Sequence, residues 1–283
     1  MIVVRVIGGV GNQLFQYLFG QYLESKYKQP VFYDVIAFET VNKERSLELQ
    51  LLFPNMRIYN GNRFKFSRNF KLKAKLSVFL FKLNKKNHYI TDDSFNKLDD
   101  IKPNDIYYFN GYWQNKDVFS KRKLILGNNL KLKEIVPLQL KDIVREIKKS
   151  NSVSVHVRRG DYFVPKNIKT YGVCTKGYYQ KAFFEIKKNY PKNLKYFVFT
   201  DDIDWVKNNL SLPCNSIIVN NFKINSYWYI YLMSLCKSNI ISNSSFSWWA
   251  AYLNMNSSKT VIVPKKWTLT SEKSLALDHW IKL

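Results

Sequence analysis

Val153-Ser154-Val155-His156-Val157-Arg158-Arg159-Gly160-Asp161-Tyr162 begins as a strand and ends in charge. Alternating β-branched residues over 153–157 read as a buried strand, and Asn151-Ser152 separates it from a polar-faced helix over 138–149. In open α/β sheets the residues just past a strand's carboxyl end project into the crevice where ligands bind. Alternation puts His156 and Arg158 on one face and Arg159 on the other. Two adjacent arginines beside a His and an Asp suit a diphosphate, because a guanidinium fork grips two phosphate oxygens while Asp161 can hold the second arginine in place. The competing reading is an Arg159–Asp161 ion pair that only locks the turn. Arg158 is read as a ligand contact, and Arg159 is divided between the two readings.

The chain alternates on both sides of this segment. Downstream, strands at 196–200, 216–219, 240–241 and 260–263 are separated by helical stretches at 178–189, 226–236 and 246–254. Upstream, a strand over 2–7 runs into Gly8-Gly9-Val10-Gly11. Leu14, Phe15, Leu18, Phe19 and Tyr22 then recur at helical spacing before a second strand at 31–34. Two successive βα-alternating halves predict an α/β fold of two doubly wound, Rossmann-like domains facing a cleft, with a boundary near residue 150. The halves are 1–150 and 151–283.

Composition limits the partners. The chain has 283 residues, 45 Lys and Arg against 21 Asp and Glu, and a net charge of +24. That balance favours an anionic partner: nucleic acid, a phosphorylated substrate or an acidic membrane face. No run of eighteen apolar residues exists, and the first residues read as a strand and not a signal peptide, which predicts a cytoplasmic protein. Cys174, Cys214 and Cys236 are odd in number and lie in no metal-ligand pattern, so they read as buried thiols. Between Arg63 and Lys86 there are nine Lys or Arg and no acid, interleaved with Leu72, Leu76, Phe79, Leu80 and Leu83. This predicts a basic amphipathic helix, either docked by its apolar face as a surface helix or touching anionic lipid headgroups at the inner face of the cytoplasmic membrane.

Two further segments carry candidate chemistry. Gly8-Gly9-Val10-Gly11-Asn12-Gln13 sits between a strand and a helix, where backbone N–H groups converge on anions. It imitates a nicotinamide-cofactor fingerprint, with Asp34 ending the next strand, but Leu14 stands where the third glycine belongs. Ser242-Asn243-Ser244-Ser245-Phe246-Ser247-Trp248-Trp249 leads into an aromatic helix whose N-terminus offers hydroxyls, N–H groups and a favourable dipole. The plain alternative for the serines is an N-cap, and Trp248 and Trp249 read as packing residues.

These segments, in this order, resemble the alpha-1,2-fucosyltransferases of glycosyltransferase family 11. The matching stretches are GGVGNQLFQYLFG (8–20), NGYWQNKDVF (110–119), HVRRGDY (156–162), YFVFTDD (196–202) and LMSLCKSNIISNSSFSWWAAYL (232–253). The resemblance implies a two-domain GT-B architecture with GDP-fucose held mainly by the C-terminal half and the acceptor on the N-terminal side. It implies that Arg158 contacts the diphosphate, that His156 and Asp201 read the guanine, and that Ser244, Ser245 and Phe246 cradle phosphate. Gly11 and Asn12 would close over the donor, with Arg159, Asp202 and Asn243 completing the donor set. Members often carry an acidic residue in the helix before LMS, where this chain has Tyr229.

The similarity further implies a single inverting displacement, moving L-fucose onto the 2-hydroxyl of a galactose-terminated acceptor, free or lipid-linked, with neither metal nor cofactor. Asp161 is the one guess for a general base. Two rivals compete: a metal-dependent glycosyltransferase using Asp202-Ile203-Asp204 as a D-x-D motif, and a basic nucleic-acid-binding protein. The second leaves the RRGD and SSFSWW segments unexplained, so no nucleic-acid partner is expected.

Overall fold

The computed structural model describes residues 1–40, 44–61, 71–95, 98, 100–115, 136–189, 193–219, 222–269 and 274–283. The chain forms two compact units, Met1–Leu130 and Lys131–Leu283. Each is built on a parallel sheet, as the alternating pattern predicts. The units divide some twenty residues before the boundary read from the sequence. Helix Lys141–Lys149 lies in the second unit, where its Ile143, Val144 and Ile147 are buried and it packs against the strand that follows.

In the first unit β1 (Ile2–Arg5), β2 (Val31–Asp34), β3 (Asn87–Thr91) and β4 (Ile106–Asn110) lie in the order β2-β1-β4-β3. Helix α1 (Val10–Tyr27) follows β1 and buries Leu14, Phe15, Leu18, Phe19 and Leu23. The turn before it needs Gly8, whose φ is +85° and whose missing Cβ would lie 2.8 Å from the Asn12 amide. Asp34 is buried inside the unit, accepting hydrogen bonds from the Tyr108 hydroxyl at 2.7 Å and the Ile36 N–H at 3.0 Å. Its role is to tie β2 to β4, which accounts for the acid at the end of β2 without a cofactor ribose.

The basic helix forms as α2 (Lys71–Leu83), with an unexpected orientation. Phe81 is buried and Val78 partly buried beside Tyr108 and Tyr89, while Leu76, Phe79, Leu80 and Leu83 are 55–62% exposed. The docking face is therefore the Val78–Phe81 side, because the aromatic rings of β3 and β4 provide its complement; Phe81 meets Tyr108 edge-on at 6.3 Å. Leu72 lies outside the described side chains.

The second unit carries β5 (Asn151–Val157), β6 (Leu194–Thr200), β7 (Ser216–Ile218), β8 (Ser238–Ile240), β9 (Val261–Val263) and β10 (Ile281–Lys282), in the order β10-β9-β8-β5-β6-β7. Val153, Val155, Val157, Tyr196, Val198 and Ile240 form its core with Tyr179, Ala182 and Ile186 of helix Lys176–Asn189. Trp248 and Trp249 are fully buried, and the Trp248 indole donates to the Leu275 carbonyl at 2.7 Å, so they pack as expected. All three cysteines are free; Cys174 and Cys236 are buried, whereas Cys214 is exposed, against the expectation of three buried thiols. Among the described residues no helix is long and apolar enough to cross a membrane.

Candidate active site

Strand order places the site. From β5 the chain adds β6 and β7 on one side, then returns to add β8 on the other. The carboxyl ends of β5 and β8 therefore border the point where winding reverses, the usual ligand crevice of such sheets. His156 and Arg158 leave β5 there, and Ser242, Asn243 and Ser244 leave β8 there. The two motifs, 86 residues apart, are joined directly by His156 Nδ1 and Ser242 Oγ at 2.8 Å.

His156 is buried, and its ring lies 5.5 Å from that of Phe246. Burial, reinforced by the Arg158 guanidinium, lowers its pKa to about 3. The imidazole is neutral at physiological pH, with one donor and one acceptor nitrogen set by its bond to Ser242.

Arg158 is held by two carboxylates. Nη2 donates to Asp161 Oδ1 at 2.5 Å and Nη1 meets Asp201 Oδ2 at 2.6 Å, and the guanidinium lies 5.6 Å above the Tyr162 ring. Gly160 makes this possible, since a Cβ there would stand 2.7 Å from Asp201 Oδ2. Tyr162 is itself fixed by its hydroxyl, which donates to the Asn243 carbonyl at 2.9 Å; burial raises its pKa while Arg158 opposes the rise.

The expected Arg159–Asp161 pair is replaced by a different one. Arg159 Nε donates to Asp202 Oδ2 at 3.0 Å, and its guanidinium is stacked 3.8 Å from the Trp205 ring and 4.4 Å from Phe163. Its backbone N–H donates to Asp201 Oδ1 at 2.8 Å, so Asp201 holds both arginines of the motif. Asp161 belongs to Arg158 because the short helical turn over Gly160–Phe163 folds it back three residues. All three carboxylates are thus engaged with an arginine, and none stands out as a base.

The remaining residues divide by role. Asn243 anchors the loop: Nδ2 donates to the Tyr171 carbonyl at 2.9 Å and, more weakly, to that of Trp267 at 3.3 Å. Ser244 is the N-cap of helix Ser245–Leu253, accepting from the Phe246 N–H at 3.4 Å, with Ser245 and Phe246 half-buried in its first turn. Asp202 caps helix Ile203–Asn209, Oδ1 accepting from the Trp205 N–H at 3.0 Å. Each of its oxygens thus already accepts a hydrogen bond within the fold. Among the described residues no group of three or more His, Cys, Asp or Glu is placed to hold a metal ion.

In the first unit the glycine turn and residues 110–115, the described part of the 110–119 stretch, also meet at a reversal of winding, between β1 and β4. Gln16 accepts from the Ile7 N–H at 2.9 Å and donates to the Gly111 carbonyl at 3.0 Å, while the Gln114 amide donates to Asn12 Oδ1 at 3.0 Å. Gly11 is buried at the start of α1. Trp205 lies outside every motif read from the sequence, whereas Tyr162, Ser242 and Gln114 lie inside quoted motifs without a role of their own. The structure sets Trp205 against Arg159, Tyr162 on the Asn243 carbonyl, Ser242 on His156 and Gln114 on Asn12.

A family model described as glycosyl transferase family 11 matches residues 46–283. The chain belongs to that family. It is 30% identical to the O-antigen biosynthesis glycosyltransferase WbnK of Escherichia coli, over 98% of each chain. It is 31% identical to an alpha-1,2-colitosyltransferase of the same organism, over 94% of this chain and 92% of the other. A shorter match, 32% identical over 37% of this chain and 29% of the other, is to the mouse galactoside 2-alpha-L-fucosyltransferase Sec1. The fold resembles that of fucosyltransferase NodZ from Bradyrhizobium, with a TM-score of 0.52 at 12% identity, over 88% of this chain and 91% of that one. The chain is a glycosyltransferase with a GT-B type fold.

The geometry separates the two arginines of this family 11 chain. Arg159→Lys keeps the charge but loses the stacked plane and the Nε bond, and is expected to cost about 1 kcal/mol of stability. Its kcat should fall less than about tenfold, since stacking on Trp205 holds the turn and not the reacting atoms. Thermal melts and steady-state kinetics check this; a kcat collapse at unchanged Tm would put Arg159 on the substrate.

Proposed function

We propose that the chain transfers L-fucose from GDP-fucose to the 2-hydroxyl of a terminal galactose in a cell-surface glycan precursor, inverting the anomeric centre without a metal ion. The observation that carries this is the meeting of His156 and Arg158 with Ser242–Phe246 at the switch point of the second sheet. Family membership supplies the reaction class. The relatives named for 1,2-transfer and for a galactoside acceptor support the linkage and the acceptor.

In the proposed reaction the acceptor's 2-oxygen bonds to C1 of fucose as the bond from C1 to the diphosphate oxygen breaks. GDP leaves with the electron pair, and the hydroxyl proton passes to solvent or an unassigned base. Negative charge grows on the leaving diphosphate. Arg158, fixed by Asp161 and Asp201, and the first turn of helix Ser245–Leu253 are donors that need no reorganisation as that charge develops. Neutral His156 and Asp201 are assigned to the guanine, Ser244, Ser245 and Phe246 to phosphate, and Gly11 and Asn12 keep the donor-side role the resemblance gives them. Asp202, Arg159 and Asn243 support this set from behind.

The test is GDP release from GDP-fucose with lactose in the presence of EDTA, with product linkage and anomer read by NMR. A 2-O-linked α-fucoside formed under chelation is expected. Loss of turnover restored by manganese would overturn the metal-free reading, and a β-product would overturn inversion. The colitosyltransferase relative favours a second donor, the 3-deoxy counterpart of L-fucose. Preference for GDP-colitose over GDP-fucose in direct competition would move the assignment to that sugar.

A further inference from the structure

We infer that the outward side of α2 is a docking surface for an anionic lipid bilayer. At about 100° per residue, Leu76, Phe79, Leu80 and Leu83 fall within an arc of about 100° on one side of the helix. All four are more than half exposed, whereas Phe81 and Val78 on the other side already pack against β3 and β4. This apolar face is therefore additional to the one that attaches the helix to its unit. A cluster of four large apolar side chains left to water on adjacent turns is a feature of interaction surfaces, unlike the scattered exposed residues elsewhere in the chain.

Charge identifies the occupant. The exposed Lys75 and Lys82 lie at one border of the apolar arc, and the exposed Lys85 and Lys86 follow the helix directly. Between Glu48 and Asp92 the chain has ten Lys or Arg and no acid. An apolar strip bordered by cations matches the bilayer interface, where acyl chains accept the leucines and phenylalanine and anionic headgroups accept the lysines. A second copy of this chain is a poor occupant, because it would bring an identical cationic border against the first and carries the same net charge of +24. The surface rests on the exposed helix and does not depend on the donor reading, although it suits a glycosyltransferase whose acceptor is held on a lipid.

The experiment is co-sedimentation of the full chain with vesicles of phosphatidylcholine alone or with phosphatidylglycerol added, at low and high salt. Wild type should bind the anionic vesicles and lose binding as salt rises. Phe79→Ser/Leu80→Ser should weaken that binding at least about tenfold, and Lys82→Glu/Lys85→Glu/Lys86→Glu by a similar factor. Melting temperature and lactose-dependent GDP release should stay at wild-type values in both, because every altered side chain is exposed. Equal binding by wild type and the serine variant, or no wild-type binding to anionic vesicles, overturns the inference. So does a wild-type dimer in light scattering that the serine variant converts to monomer without changing vesicle binding, since the occupant would then be a second copy.

Discussion

Arg158→Ala is expected to lower kcat for sugar transfer by about 10²–10³, the range seen when a fixed donor to developing negative charge is removed. The loss should fall on kcat more than on KM, because the interaction strengthens as charge moves onto the departing diphosphate. Asp161 and Asp201 take one N–H each from the two ends of the guanidinium at 2.5 and 2.6 Å, which fixes its plane. A guanidinium has five N–H donors, so the others remain for phosphate oxygens. Arg158→Lys keeps a cation but not the fork, and should recover part of the loss without reaching wild type. Asp201→Asn should give a smaller decrease, since the amide still accepts from the Arg159 N–H while losing its charge toward Arg158. Steady-state kinetics with GDP-fucose and lactose, with GDP binding measured separately, distinguish these cases. Wild-type kcat in Arg158→Ala would remove the arginine from the reaction.

The sequence pattern makes some of this legible and hides the rest for physical reasons. β5 and its arginines can be read because Val153, Val155 and Val157 alternate and the charges follow at once. β3 is harder to see: Asn87-His88-Tyr89-Ile90-Thr91 has little alternation, and its rings become useful only where α2 and β4 meet them. Ser238 and Asn239 of β8 are polar yet buried, because the Asn239 amide donates to Ser154 Oγ at 2.7 Å and the Met233 carbonyl at 2.9 Å. Local hydropathy cannot anticipate such satisfaction by distant partners. The same limit explains the exchanged ion pairs: spacing puts Asp161 within reach of either arginine, and the choice is made by the Gly160–Phe163 turn, which brings Asp161 to Arg158, and by Trp205 and Phe163, whose rings both lie against the Arg159 guanidinium.

The orientation of α2 shows a different limit. Periodicity finds an amphipathic helix and equates its apolar stripe with its buried side. Here the helix has two apolar sectors, and Phe81 with Val78 wins the core because Tyr108 and Tyr89 lie there to receive them. The stripe with more leucines is left outside, and only the fold reveals which sector is spare.

Lowering the pH from 7 to 5 is expected to remove about 2 kcal/mol of the second unit's stability through His156 alone. The sign follows from the two protonation states. In the unfolded chain the imidazole titrates near its ordinary value of 6.5, whereas in the folded protein burial first, and Arg158 second, hold it at about 3. Between those values the unfolded chain binds the proton and the folded one does not. The stabilising contribution is therefore complete above 6.5 and is lost as pH falls toward 3, with a slope approaching about 1.4 kcal/mol per pH unit. Urea unfolding followed by tryptophan fluorescence reads this unit, because six of the seven tryptophans lie in it. His156→Asn retains a polar partner for Ser242 and should flatten the difference between pH 7 and pH 5, whatever its stability at pH 7. Ser242→Ala should leave the slope in place, since burial and not the 2.8 Å hydrogen bond is the principal cause. Equal slopes in wild type and His156→Asn would mean that the imidazole titrates normally in the folded protein, and the ring assigned to the guanine would then be held neutral only above its ordinary value of 6.5 and not across the whole range down to about 3.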